Sequence, residues 1–152
     1  MDEPRFQHLY DMTVQLEPPQ MIGQTPQGNR QIFYVRSGTF EGPRLKGELL
    51  PGGGDWFILR PDNVGELDVR ATLKTHDGAL IYATYRGIFS ASQEAWAKLY
   101  QGEPLDRDQY YFYTAPIFQT SAGDYLWLNR ILAVGVGSAV PGGVAYRVFA
   151  LA

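Results

Sequence analysis

Apolar and polar residues alternate with a period of two through most of the chain. In FQHLYDMTVQL the even positions Phe6, His8, Tyr10, Met12, Val14 and Leu16 form one face, and Gln7, Asp11, Thr13 and Gln15 lie mostly on the other. This pattern predicts a long strand with one buried face. A second strand, RQIFYVRSG, follows the turn-rich PPQMIGQTPQGN, and RLKGELL and DWFILR flank PGGG as two strands joined by a tight corner. The clearest alternation is VGELDVRATLKTH, after which HDG at 76–78 predicts a hairpin into ALIYATYRGIF. The period changes in SASQEAWAKLYQG. Candidate N-caps Ser90 and Ser92, a stripe through Trp96, Leu99 and Tyr100, and Gly102 at the far end predict one short amphipathic helix around residues 91–101. QYYFYTAPIFQT and DYLWLNRILAVGVG, separated by a hairpin-length SAG, and GVAYRVFAL after a Pro-Gly-Gly turn are read as closing strands.

Eight or nine antiparallel strands and one helix within residues 1–152 predict a single all-β domain, a closed barrel or a sandwich. A barrel of about eight strands is just wide enough to be filled by side chains or to hold one small ligand. Composition narrows the chemistry. Thirteen basic and sixteen acidic residues without a charge run argue against a nucleic-acid surface. The absence of cysteine removes disulfides, thiolate nucleophiles and Cys-based zinc sites. MDEPRFQHLY lacks the apolar run of a signal peptide or anchor, and no run approaches the roughly 20 apolar residues of a membrane span. The expected location is cytoplasmic. Aromatic residues are abundant at 14%, ten of them tyrosine.

RQIFYVRSGTFEGPRLKGELLPGGGDW, ELDVRATLKTHDGALIY, YYFYTAPIFQT and YLWLN resemble, in order and spacing, the bacterial and fungal family DUF3237, also labelled UPF0311. The resemblance covers nearly the whole chain. It implies a small calycin-like or lipocalin-like β-barrel, often a homo-oligomer, with a dimer favoured, and no settled reaction. It also implies an acid where Gln119 stands, so no base is assigned to that position.

Candidate chemistry rests on polar residues within strands. Asp68 and Arg70 share a face at i and i+2, roughly 7 Å apart, and can pair or grip a carboxylate or phenolate. The same row continues through Glu66 and Lys74 as a solvated outer face does; the resemblance, which includes the Asp-x-Arg pair, weighs toward a site. Glu41 and Asp55 stand amid glycines and aromatics, where desolvation raises a carboxylate pKa toward the range of acid–base work. Asp55 is read as a cap on the turn after PGGG. Tyr82, Tyr111, Tyr113, Trp127 and Asn129, taken as coming from three strands, form an aromatic and polar set suited to a small-molecule pocket, or else a tyrosine-rich core. His8 and His76 have no second histidine nearby, so no metal is expected, and neither a nucleophile elbow nor a phosphate loop is present.

The inventory predicts a cofactor-independent enzyme performing proton transfer (isomerisation, cyclisation, hydration or lactone opening) on a small aromatic or carbonyl-bearing ligand. Glu41 or Asp68 is the expected base, and Arg70 with Tyr111 or Asn129 the expected stabiliser of negative charge on oxygen. The alternatives are a non-catalytic lipocalin-like binding protein and a filled structural barrel. An open cavity with Asp68, Arg70 and Asn129 inward favours the enzyme. The same residues outside an apolar cavity favour the carrier, and a packed interior favours the structural role.

Overall fold

The wall closes on itself because its first strand has partners on both edges. In a computed structural model that describes residues 2–152, β1 (Phe6–Leu16) pairs with β10 (Gly143–Leu151) on one side and β3 (Gly28–Glu41) on the other. From β10 the antiparallel wall continues through β9 (Ala133–Val140), β8 (Tyr110–Gln119), β7 (Leu80–Ala91) and β6 (Val64–Thr75). It returns to β3 through β4 (Lys46–Leu49) and β5 (Gly54–Leu59), which both pair with β3 and β6. The result is the expected closed eight-stranded barrel rather than a sandwich. β2 (Gln20–Thr25) adds to the outer part of β3, where a turn-rich segment was expected.

β4 and β5 do not pair with each other. They run in line as one interrupted stave, so PGGG is a break in the wall and not a corner between neighbouring strands. Two glycines make the break possible. Gly52 has φ +102°, a left-handed conformation that side chains resist, and a Cβ on Gly53 would lie 2.5 Å from the Arg70 carbonyl oxygen. Such breaks let a strongly curved sheet close.

The helix α1 (Gln93–Tyr100) is placed as expected. Ser92 is its N-cap, accepting from the Ala95 N–H at 3.1 Å, and Gly102 follows it with φ +77°. Two other expectations are corrected. A bulge between His8 and Tyr10 shifts the parity of β1, so Leu9 and Tyr10 are both buried while Phe6 and His8 face solvent. DYLWLN is not a strand: Gly123–Arg130 forms a 3-10 helix, and β8 and β9 are not joined by a hairpin turn. Tyr125 and Leu128, three residues apart, are its buried residues, as a three-residue turn requires.

The inward faces fill the two ends differently. At one end Tyr10 packs edge-on against Phe40 and Phe118, with ring centroids 5.7 and 6.2 Å away, and with Leu73, Ile81 and Leu128 these rings plug the barrel. At the other end α1 lies over the mouth, and the Trp96 indole donates to the Asn63 carbonyl in the β5–β6 turn at 2.8 Å. Gly53→Ala should force the interrupted stave off β6 and lower stability by about 1–3 kcal/mol. Gly123→Ala, with open space around its would-be Cβ, should stay within about 0.5 kcal/mol of the parent. Urea unfolding of the two variants checks both.

Candidate functional site

The unplugged end holds a cavity of about 630 Å³ with mostly apolar walls. Strand parity builds those walls. On β6 the inward positions include Leu67, Val69 and Ala71, on β7 Tyr85 and Phe89, and on β8 Phe112. Phe89 gathers the aromatics: it stacks on Tyr110 at 5.0 Å and meets Trp96 at 4.9 Å and Phe112 at 4.8 Å. Tyr85 and Tyr146 meet edge to face across the interior at 5.5 Å.

Two carboxylates line this space: Glu17, solvent-accessible and paired with Arg36 at 3.0 Å, and Asp55, which points inward. β5 starts at Gly54, and its parity sends Asp55 and Phe57 inward. The β5–β6 ladder pairs Asp55 with Val69 and resumes at Ile58 and Glu66, which leaves Trp56 and Phe57 without partners on β6 although both pair with β3. Side chains fill the gap: the Asp68 N–H donates to Asp55 Oδ1 at 2.9 Å, and Arg30 Nη1 donates to the Trp56 carbonyl at 2.6 Å. Burial raises the Asp55 carboxyl to about 7, and the nearby Asp68 charge adds to the rise. The Asp68 N–H and Arg30 pull the other way without overcoming it. Burial also pushes the Tyr85 and Tyr146 phenols above their ordinary value, and the charge of Asp55 adds to both. The two tyrosines therefore stay neutral and able to donate where Asp55 exchanges its proton near neutrality. Among the described residues no three His, Asp or Glu side chains are grouped to hold a metal ion.

Of the residues singled out from sequence only Asp55 lines the cavity; the other eight lie elsewhere. Glu41 is exposed at the end of β3, opposite Asp11 and Lys46. Asp68 and Arg70 share a face as expected, but it is the outer one, because Leu67, Val69 and Ala71 take the inward positions. Asp68 pairs there with Arg86 at 3.3 Å, and Arg70 lies over the Trp56 ring at 5.5 Å. Tyr82, Tyr111 and Tyr113 point outward from β7 and β8, alternating with the inward residues. Trp127 and Asn129 stand on the 3-10 helix and not on a strand. Arg44 covers the Trp127 ring at 3.8 Å, and Asn129 bonds the backbone of Thr120 on both sides and the Leu126 carbonyl. That pair staples the segment joining β8 to β9.

Asp55 was weighed as a turn cap. It does bind a backbone N–H, but on β6 rather than in the PGGG turn. The signal for its true direction was parity with Phe57, just as Phe89 gives the direction of Tyr85. Tyr146 and Gln31 escaped notice: Gln31 closes the turn-like polar run QGNRQ, and Tyr146 stands in the last strand apart from the other tyrosines.

A family model described as a protein of unknown function, DUF3237, matches residues 4–151. The chain belongs to this family. A UPF0311 protein of Clostridium acetobutylicum is 33% identical over 148 residues, covering 97% of this chain and 94% of that protein. Among solved structures, a protein from Acinetobacter baumannii described as β-barrel like superposes with a TM-score of 0.87 at 36% identity, over 100% of this chain and 98% of that one. A more distant structure, described as an enzyme from Penicillium herquei, superposes with a TM-score of 0.76 at 19% identity, over 100% and 97% of the two chains, and shares the fold.

Asp55 has a signature in stability. Its folded-state value of about 7 lies above the unfolded value near 4, so across that window the native state holds a proton that the unfolded state has lost. This contribution to stability is fully present at low pH and is lost as pH rises through about 7. Asp55→Asn keeps an acceptor for the Asp68 N–H and has no charge to bury. At pH 8 it should be more stable than the parent by roughly 1–4 kcal/mol, and near pH 4 the difference should vanish. Thermal unfolding of both proteins across this range measures the difference.

Proposed function

We propose that this DUF3237 protein is a cofactor-independent enzyme that moves a proton on a small aromatic or carbonyl-bearing molecule, with Asp55 as the acid–base group. The observation that carries this reading is a carboxyl group titrating near neutrality inside an apolar cavity. A general base is most effective when its pKa lies near the working pH, and a dry site strengthens its electrostatic effect. The proton-transfer role expected of Glu41 or Asp68 passes to Asp55, and the oxyanion role expected of Arg70 with Tyr111 or Asn129 passes to Tyr85 and Tyr146. With a ketone bound, ionised Asp55 takes a proton from the carbon next to the carbonyl. The electron pair moves to the oxygen, which the neutral phenol hydroxyls of Tyr85 and Tyr146 stabilise by hydrogen bonding. Asp55 then returns the proton to the same or another atom, so nothing is oxidised or consumed.

A second reading has its own support. Asp68, Arg70 and Asn129 all lie outside an apolar cavity, the arrangement expected of a lipocalin-like carrier without turnover.

Incubation with 6-hydroxy-2-acetonaphthone in D2O separates the two. The enzyme reading expects deuterium to enter the methyl group, followed by NMR, about 100-fold faster with the parent than with Asp55→Asn. The rate should rise with pH through about 7 as Asp55 ionises. Arg70→Ala should exchange at the parental rate, and Asp68→Asn, which removes a charge that raises Asp55, should move the pH dependence to lower pH without abolishing exchange. Binding without exchange identifies a carrier, and equal exchange by Asp55→Asn removes Asp55 from the chemistry.

A further inference from the structure

The cavity has a second polar group. Gln31 lies on the inward face of β3, lines the cavity and is 1% exposed. Its Nε2 donates to the Tyr100 hydroxyl of α1 at 2.7 Å, while its Oε1 is buried without a hydrogen-bond partner among the described residues. A buried carboxamide is ordinarily satisfied at both ends, because an unpaired oxygen loses the hydrogen bonds that water gave it in the unfolded chain. The neighbouring indole cannot serve, since Trp96 Nε1 is committed to the Asn63 carbonyl. The unmet acceptor therefore stands beside a ligand-sized space whose walls are mostly apolar.

Register gives its relation to Asp55. Gln31 is paired with Phe57, and Asp55 lies two residues before Phe57 on the same face. Gln31 and Asp55 are therefore diagonal neighbours on adjacent strands, about 7–8 Å apart at the backbone. That separation is comparable to the reach across an aromatic ring and its substituents. Phe33 and Phe57 on the same two inward faces supply the flanking apolar surface.

We infer that Gln31 is a specificity-determining subsite that accepts a hydrogen bond from a hydroxyl or N–H group of the ligand, placed across an aromatic ring from the group that meets Asp55. The inference rests on the acid–base reading of the cavity and narrows its substrate class to hydroxy- or amino-substituted aryl carbonyl compounds. The last torsion of a glutamine side chain is soft, so the carboxamide can turn its oxygen toward the ligand while Tyr100 holds its nitrogen. A ligand bearing only an acceptor at that end leaves the Gln31 oxygen unpaired and gains nothing there.

Titration calorimetry of the full chain near pH 6 tests this with 6-hydroxy-2-acetonaphthone and its 6-methoxy counterpart, which differ in the donor and keep the ring and carbonyl. The hydroxy ketone should bind the parent about tenfold more tightly, and Gln31→Leu should bring the two within about twofold. Equal affinities in the parent, no binding of the hydroxy ketone, or a gap that persists in Gln31→Leu overturns the inference. The parental comparison decides even if Gln31→Leu does not fold. A hydroxyl preference without Asp55-dependent deuterium exchange supports the Gln31 subsite and removes the acid–base reading alone. Asp55-dependent exchange with equal affinities removes the subsite alone.

Discussion

A closed antiparallel wall gives each side chain two directions, inward or outward, and successive residues must alternate between them. The interior of this barrel obeys that constraint almost everywhere with apolar residues, and the one stave that is interrupted departs from it. The break at Gly52 and Gly53 and the missing β6 partners of Trp56 and Phe57 lie in the same short segment as Asp55. Unpaired backbone groups inside a wall need partners. The Asp68 N–H finds the Asp55 carboxylate, and the Trp56 carbonyl finds Arg30. The irregularity that helps the sheet close thus also gives an inward carboxylate a hydrogen bond that holds it in place.

The two ends of the barrel divide the work. Tyr10, Phe40 and Phe118 plug one end, and the hydrogen bonds of Asn129 and the cation over Trp127 secure the 3-10 helix in the β8–β9 connection. At the other end the interior is left open under α1. The open end carries a cost, because a carboxylate held among aromatics lacks the hydration it has in water, and one backbone N–H does not replace it. A group that destabilises the native state when it ionises is retained more readily for chemistry than for architecture.

Much of the fold was legible. Alternation in VGELDVRATLKTH separated the two faces of β6 without saying which of them the cavity would take, and Ser92 and Gly102 bracketed α1. The failures have separate physical reasons. A bulge changes parity without changing composition, so Phe6 and His8 appeared inward. DYLWLN reads as alternating apolar residues, yet Tyr125 and Leu128 satisfy a three-residue period equally well, and tertiary burial chose that one. The site was less legible because polar residues in strands drew attention by their chemistry. Asp68 and Arg70 were prominent, while their own alternation with Leu67, Val69 and Ala71 put them on the face opposite those apolar residues. Asp55 was obscured by the glycines before it, which made a turn cap the economical reading.

What distinguishes the cavity from an ordinary hydrophobic core is the pairing of two kinds of polar group within it. Asp55 has a hydrogen-bond partner and an unfavourable charge, whereas Gln31 has no charge and an unmet acceptor. An apolar ligand that only displaced water would raise the Asp55 carboxyl further and leave Gln31 unpaired, so its binding would work against both groups. A ligand with a carbonyl at one end and a donor at the other relieves both: protonated Asp55 has an acceptor to meet, and Gln31 Oε1 gains its missing bond. On the proposed reading the apolar walls would suit an aromatic body by area, and the two polar groups, set diagonally on adjacent strands, would decide which ends that body must carry.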